Sequence, residues 1–384
     1  MKFKDIAGQK EVKQHLRTIV DNGKISHALM FAGPQGSGKL PMAITFAQYL
    51  NCKNPQNGEP CGQCSSCKKI ESFNHPDLIF IYPTITSSKH KHNYSLNFVS
   101  QWQEMLKKSP YFGLQEWISH IAGGQTNKQA SIFKDDSIEI LRRLSVKSFE
   151  SKNRIIIIWQ AEKMNPVAAN KILKILEEPQ PNTYFILTTD LPDTILPTII
   201  SRTQMVKFGK VKTPDLLEWV KKHYPRLSET QLINVSRLAD GNVIYAKQLA
   251  ELYEHNEAFE MLDLFKTISR NSYKHNFIEI NNLVNQIDEM SSEQQKTLIT
   301  YMIRMIRGSY LINKSLPELT LFTDEEKEFA TNFSKFIHDH NIEQLYKLLN
   351  DTHFGITRNA NKKILWTHTI IKMGSLLRLK APER

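Results

Sequence analysis

The run GPQGSGKL, residues 33–40, follows the apolar stretch ALMFA (28–32) and opens a helical pattern over 38–50. Strand, glycine-rich loop and helix in that order are the context of a phosphate-binding loop, and they commit the surrounding chain to an α/β sheet. Gly33, Gly36 and Gly38 let the backbone turn its N–H groups inward. The helix start adds partial positive charge and Lys39 a full one. These four residues are the candidate phosphate cradle. Position 40 breaks the pattern, because Leu40 stands where a hydroxyl would hold magnesium. The loop therefore reads as a site that binds ATP or ADP without hydrolysing it, or as a glycine-rich turn with no ligand.

The rest of residues 1–208 supports a parallel sheet. DLIFIYP (77–83), RIIIIWQ (154–160), TYFILTT (183–189) and TQMVKF (203–208) are strand-like, and RIIIIWQ is the continuous β-branched run of a strand buried on both faces. Helical patterns over 135–149 and 164–177 alternate with them, with Asp135, Asp136 and Ser137 as candidate caps. Residues 84–97 read as a polar surface excursion in which His90 and His92 are solvated. The strand at 154–160 should end in acidic residues if the loop hydrolyses its nucleotide. It carries Trp159 and Gln160 instead, and Glu162 falls in the following turn.

Beyond residue 208 the strand signals stop. Helical periods such as LLEWVKKHY (216–224), TLITYMIRMIRGSYLI (297–312) and NKKILWTHTIIKMGSLLRL (361–379) predict a small helical unit over 209–257 and a helical domain over 258–384. A chain of 384 residues has room for these three parts. No apolar run reaches about 18 residues, so no membrane span is expected. The N-terminus lacks a leader pattern, which points to the cytoplasm. The net charge of +11 suits a polyanionic partner such as nucleic acid, or simply a basic soluble surface.

All four cysteines, Cys52, Cys61, Cys64 and Cys67, lie within sixteen residues. Two CxxC steps share Cys64, and Gly58, Pro60 and Gly62 allow tight turns between them. Four thiolates at this spacing can enclose a tetrahedral zinc ion, and a closed set of four implies a structural site. Two disulfides are the alternative, disfavoured in a large cytosolic protein.

The block AANKILKILEEPQPNTYFILTTDLPDTILPTIISRTQ (168–204) closely resembles bacterial clamp-loader subunits of the AAA+ class. The cysteine spacing is similar to their zinc module, Gly8–Gln9 to the start of their adenine pocket, and Asn359–Ala360–Asn361 to a segment of the delta-prime terminal domain. The resemblance implies an α/β parallel-sheet AAA+ domain over 1–208 with a zinc module at about 51–70, an all-α lid over 209–257 and an all-α collar over 258–384. Leu40, Trp159, Gln160 and Ile244 depart from the motor pattern and match a delta-prime-type subunit. Such a subunit is not an ATPase on its own but part of the DNA polymerase III holoenzyme. It would present Arg202, in Ser201–Arg202–Thr203, as an arginine finger to ATP on a gamma/tau-type neighbour. The partners implied are gamma/tau-type subunits, the delta subunit, the sliding clamp and, through the complex, primer–template DNA. Lys163, Lys171 and Lys174 would face that DNA or form an ordinary solvated basic face. A gamma/tau-type motor and a zinc-containing DNA-binding module outside replication are the competing readings.

Overall fold

The computed structural model describes residues 1–86, 94–124, 128–146, 150–254, 257–320, 322–358 and 360–381. His90, His92 and Asn359 lie outside them. The chain forms two compact units, one of Met1–His223 with Ala239–Lys247 and the other of Tyr224–Leu238 with Gln248–Arg384.

The first unit is built on five parallel strands: β1 Ala28–Ala32, β2 Leu78–Ile81, β3 Arg154–Ile158, β4 Thr183–Thr189 and β5 Gln204–Lys207. Their order across the sheet is β2-β3-β4-β1-β5. Each expected strand is present. In register, Met30 of β1 faces Leu187 of β4 and Met205 of β5, while Ile156 faces Ile79 of β2 and Phe185 of β4. Side chains of a strand alternate between faces, so a sheet covered on both sides needs apolar residues at every position. The RIIII run supplies them. Ile155 and Ile157 enter one core with Leu29, Phe31 and Trp102, and Ile156 and Ile158 enter the other with Met30, Phe185 and Ile172. Each such side chain contributes about 1.5–3 kcal/mol through burial. On edge strand β5 only Val206 is buried.

One helix differs from expectation. The pattern over 135–149 becomes Lys134–Leu144, with Phe133 in the cap position. Asp136 sits at the third helical position, where its carboxylate accepts from Phe133 N (3.0 Å) and from Ser95 N and Oγ (both 2.7 Å). Asp136 is thus a buried anchor holding the strand-to-helix connection to its helix, and neither Asp135 nor Ser137 caps the start. Helices Val99–Lys108 and Leu114–Ala122, which the sequence reading did not anticipate, carry Trp102 and Trp117 into the core beside β2.

The second unit is helical, as the periodicity predicted. Its helices include Glu257–Lys274, Phe277–Glu289, Ser292–Asn313, Asp324–Phe333, Ile342–Thr357 and Lys362–Leu377. Asn276, Ser291, Thr323 and Asn361 cap four of them by accepting from a backbone N–H three residues on. Gly374 lets two helices cross closely, since a Cβ there would lie 2.1 Å from Ser272 O. Trp366, fully buried, donates its indole N–H to Gln295 Oε1 (2.9 Å). Arg304 and Tyr301 share the buried Glu326 carboxylate, which also accepts from Thr323 N. Among the described residues, no helix is long and apolar enough to cross a membrane.

Candidate functional site

The phosphate loop lies at the carboxyl end of β1, against the end of β4: Gly33 N donates to Thr189 O. Crevices at the carboxyl ends of parallel strands are where α/β sheets hold ligands. Helix Lys39–Leu50 starts directly from the loop, with Gly36 and Gly38 at φ values of 74° and 89° that other residues rarely adopt. Pro41 falls in the helix's first turn, where no intrahelical N–H is needed.

Lys39 is 7% exposed and turns back on the loop. Its Nζ donates to Gly33 O and Pro34 O (both 2.7 Å) and pairs with Asp190 Oδ1 at 2.7 Å. Burial lowers the pKa of this ammonium, and the Asp190 carboxylate opposes that fall. Asp190 in turn accepts from Gln160 Nε2 at 2.9 Å, and its N–H donates to Glu162 Oε1 at 3.2 Å. Burial raises the Glu162 carboxyl above its ordinary value. Gln160 thus supports the anion that neutralises Lys39, and Glu162 holds the Asp190 backbone in place.

The crevice beside the loop is narrow. Lys39, Leu40, Tyr111, Phe112, Trp159, Asp190 and Ile244 line a cavity of about 30 Å³. That is room for about two waters, against roughly 300 Å³ or more for a small-molecule site. Trp159 is 4% exposed, its ring centred 5.3 Å from Trp102 and 5.2 Å from Phe112. Leu40 is buried in the same core. Asn242 closes over the loop, so that a Cβ on Gly36 would lie 1.8 Å from its Oδ1, and Val243 N donates to Gly36 O (3.0 Å). Gln9 Nε2 ties Ser37 O to Gly209 O at 3.1 and 2.6 Å. The sequence reading singled out Leu40, Trp159, Gln160 and Ile244 as departures from a motor pattern, and the structure brings all four to the loop's cavity. It missed Asp190 and Asn242. A carboxylate immediately after a strand next to the loop is a signal that could have pointed to Asp190.

The four cysteines form a separate cluster. Their sulphurs all lie within 4.8 Å of one another. Zinc at about 2.3 Å from each thiolate sets tetrahedral sulphur–sulphur edges of about 3.8 Å, and Cys61 Sγ and Cys67 Sγ are 3.8 Å apart. An Asn57–Gly58 turn, both residues at positive φ, closes a small hairpin between Cys52 and Cys61. Backbone N–H groups point at the sulphurs: Cys61 N at Cys52, Gln63 N and Cys64 N at Cys61, and Cys67 N at Cys64. The N–H groups of Cys64 and Gln63 bring the Cys61 thiol down to about 6, whereas burial pushes Cys67 up. Soft donors, spacing and inward N–H groups fit a zinc ion, which would act there as a structural crosslink. The module also docks through Glu59, which accepts from Phe3 N (2.7 Å) and pairs with Arg17 (2.7 Å).

Arg202 is not among the residues that line the loop's cavity. It lies at the turn between helix Pro197–Ile200 and β5, and its side chain is 32% exposed. One Nη donates to Thr198 O at 2.9 Å, the other pairs with Glu177, and Nε, buried, has no partner among the described residues. Lys171 and Lys174 are exposed on helix Pro166–Glu177.

Residues 8–212 match the sequence model of a family described as DNA polymerase III, delta subunit. The chain is 31% identical over 237 residues to the DNA polymerase III subunit delta′ of Bacillus subtilis (strain 168), covering 60% of this chain and 58% of that one. It is 29% identical over 206 residues to the DNA polymerase III subunit gamma/tau of Mycobacterium tuberculosis (strain ATCC 25618 / H37Rv), covering 54% of this chain and 28% of that one. The solved gamma subunit-related protein of Thermotoga maritima is 15% identical, with a TM-score of 0.41 over 95% of this chain and 99% of the other.

Proposed function

Because the chain belongs to the DNA polymerase III delta subunit family, we propose that it serves the clamp loader as a delta-prime-type subunit that does not hydrolyse ATP. The observation that carries this is the loop's narrow crevice. Lys39 is neutralised by Asp190, and the two magnesium-holding positions are Leu40 and Trp159, both buried in apolar core. Hydrolysis needs a metal at those positions and a free lysine at the phosphates. ATP or ADP could enter only if Lys39 released Asp190 and the aromatic lining moved.

In this reading the chain divides into an AAA+ domain over 1–208, a lid over 209–257 and a collar over 258–384. Zinc holds the module at Cys52, Cys61, Cys64 and Cys67. The partners are gamma/tau-type subunits, a delta subunit and, through the complex, the sliding clamp and primer–template DNA, whose phosphates Lys171 and Lys174 are free to meet. Arg202 acts in trans. Leaving Glu177 for the phosphoryl group of a neighbour's ATP, it would stabilise the charge that develops there. Such a finger is worth about 10³–10⁵ in rate.

The test is Arg202→Ala in a complex reconstituted with gamma/tau-type and delta subunits. Turnover at the ATP site facing Arg202 is expected to fall by about 10³-fold or more, with assembly by gel filtration intact. Unchanged turnover removes the finger. Magnesium-dependent turnover by the isolated chain, lost in Lys39→Ala, would instead make it a gamma/tau-type motor.

A further inference from the structure

In the C-terminal unit, helix Glu257–Lys274, the end of helix Asp324–Phe333 and the residues after it enclose a cavity of about 300 Å³. Its floor is aromatic and aliphatic: Phe329, Phe333, Phe336, Tyr273 and Leu377. The rings of Phe329 and Phe333 stack 5.3 Å apart, and Tyr273 meets Phe336 edge-on at 5.1 Å. Its rim is cationic, with Lys266, Arg270 and Lys274 along one helix edge. Lys266 is paired with Asp263 (3.1 Å), whereas Arg270 and Lys274 are exposed and have no acidic partner among the described residues. A second feature points inward. Ser269 lines the cavity at 5% exposure, and its Oγ has no hydrogen-bond partner among the described residues. A buried hydroxyl without a partner is costly, and a ligand's carbonyl or carboxylate would recover that cost.

We propose that this cavity is a docking site for an acidic peptide segment of a partner protein, carrying apolar side chains between its carboxylates. The spacing selects the conformation. Cations four residues apart on a helix repeat about every 6 Å. Carboxylates two residues apart on an extended strand repeat about every 6.6 Å. An extended segment alternating acidic and apolar residues therefore sets its carboxylates on the Arg270 and Lys274 edge and turns its apolar side chains to the phenylalanine floor. The rim charges give orientation and association rate, and the floor supplies the burial. The inference stands on the C-terminal unit alone and is independent of whether the N-terminal loop binds nucleotide.

The test measures fluorescence anisotropy of the full chain with a dye-labelled pentapeptide, Asp-Phe-Asp-Leu-Asp. Binding is expected to weaken at least tenfold in the double variant Arg270→Glu, Lys274→Glu, at least tenfold when alanine replaces the peptide's apolar residues, and progressively with salt. Because both substituted residues are exposed, the variant's helical circular dichroism should match the parent's. Equal affinity of parent and variant, or equal binding of a lysine-flanked Lys-Phe-Lys-Leu-Lys peptide, overturns the proposal. Self-association of the chain that the double variant abolishes, with no peptide binding by either, also overturns it and gives the face to a second copy.

Discussion

Restoring the acidic residue that a motor would carry at position 159 should damage the fold before it creates an enzyme. Trp159 is buried at the end of β3 between the rings of Trp102 and Phe112, and Trp102 is itself stacked on Tyr82 at 4.0 Å. Truncating a buried tryptophan typically costs about 3–5 kcal/mol, because transfer energy is lost and the cavity left behind collapses only in part. An aspartate adds an unpaired carboxylate in apolar surroundings, which costs at least the about 1–3 kcal/mol of a neutral unsatisfied group. Trp159→Asp should therefore destabilise the α/β unit by about 4 kcal/mol or more, and Trp159→Ala by slightly less. A unit of this size loses about 2–4 °C per kcal/mol, so thermal unfolding followed by circular dichroism should move down by about 8–16 °C. The double variant Leu40→Ser, Trp159→Asp should show no magnesium-dependent ATP turnover, because Asp190 still neutralises Lys39. A Trp159→Asp shift under about 3 °C, against about 8 °C expected, would refute the view that packing has replaced the metal site, and so would turnover by the double variant.

Two further outcomes are expected. Protein purified without chelator should carry about one zinc per chain, and Cys64→Ala should lose it and melt lower; metal-free parent protein would contradict the site. Burial holds the Asp136 carboxyl at about 6, above its ordinary 3.8, so the folded state binds that proton more tightly than the unfolded chain. Its stability contribution is then full below pH 3.8 and lost as pH rises through 6, on the order of 3 kcal/mol in all. Asp136→Asn should flatten the fall in melting temperature across that window, and identical profiles for the two proteins would remove Asp136 as its source.

Much of the fold was legible because period and composition are local. The RIIII run could only be a strand covered on both faces, and residues beyond 208 repeat at helical spacing. The cysteine cluster was legible for the same reason, since four thiols within sixteen residues need no distant chain to meet. Helix Lys134–Leu144 was less so: its start depends on Ser95, forty-one residues upstream of Asp136, which turns an apparent cap into a buried anchor.

The sequence by itself determined that the loop at 33–39 lacks its metal partners, because absence of a hydroxyl at 40 and of carboxylates at 159–160 is a matter of residue type. It could not say what occupies the place instead. That was decided by tertiary structure, which brings Asp190 from the end of β4 onto Lys39, Asn242 onto Gly36, and Phe112 against Trp159. Each of these contacts joins residues separated by tens to hundreds of positions, and none has a local signature. Charge pairing and packing in a closed crevice act on whatever the fold makes adjacent, so missing metal ligands can be read along the chain, while the ion pair and aromatic core that stand beside the loop exist only in three dimensions.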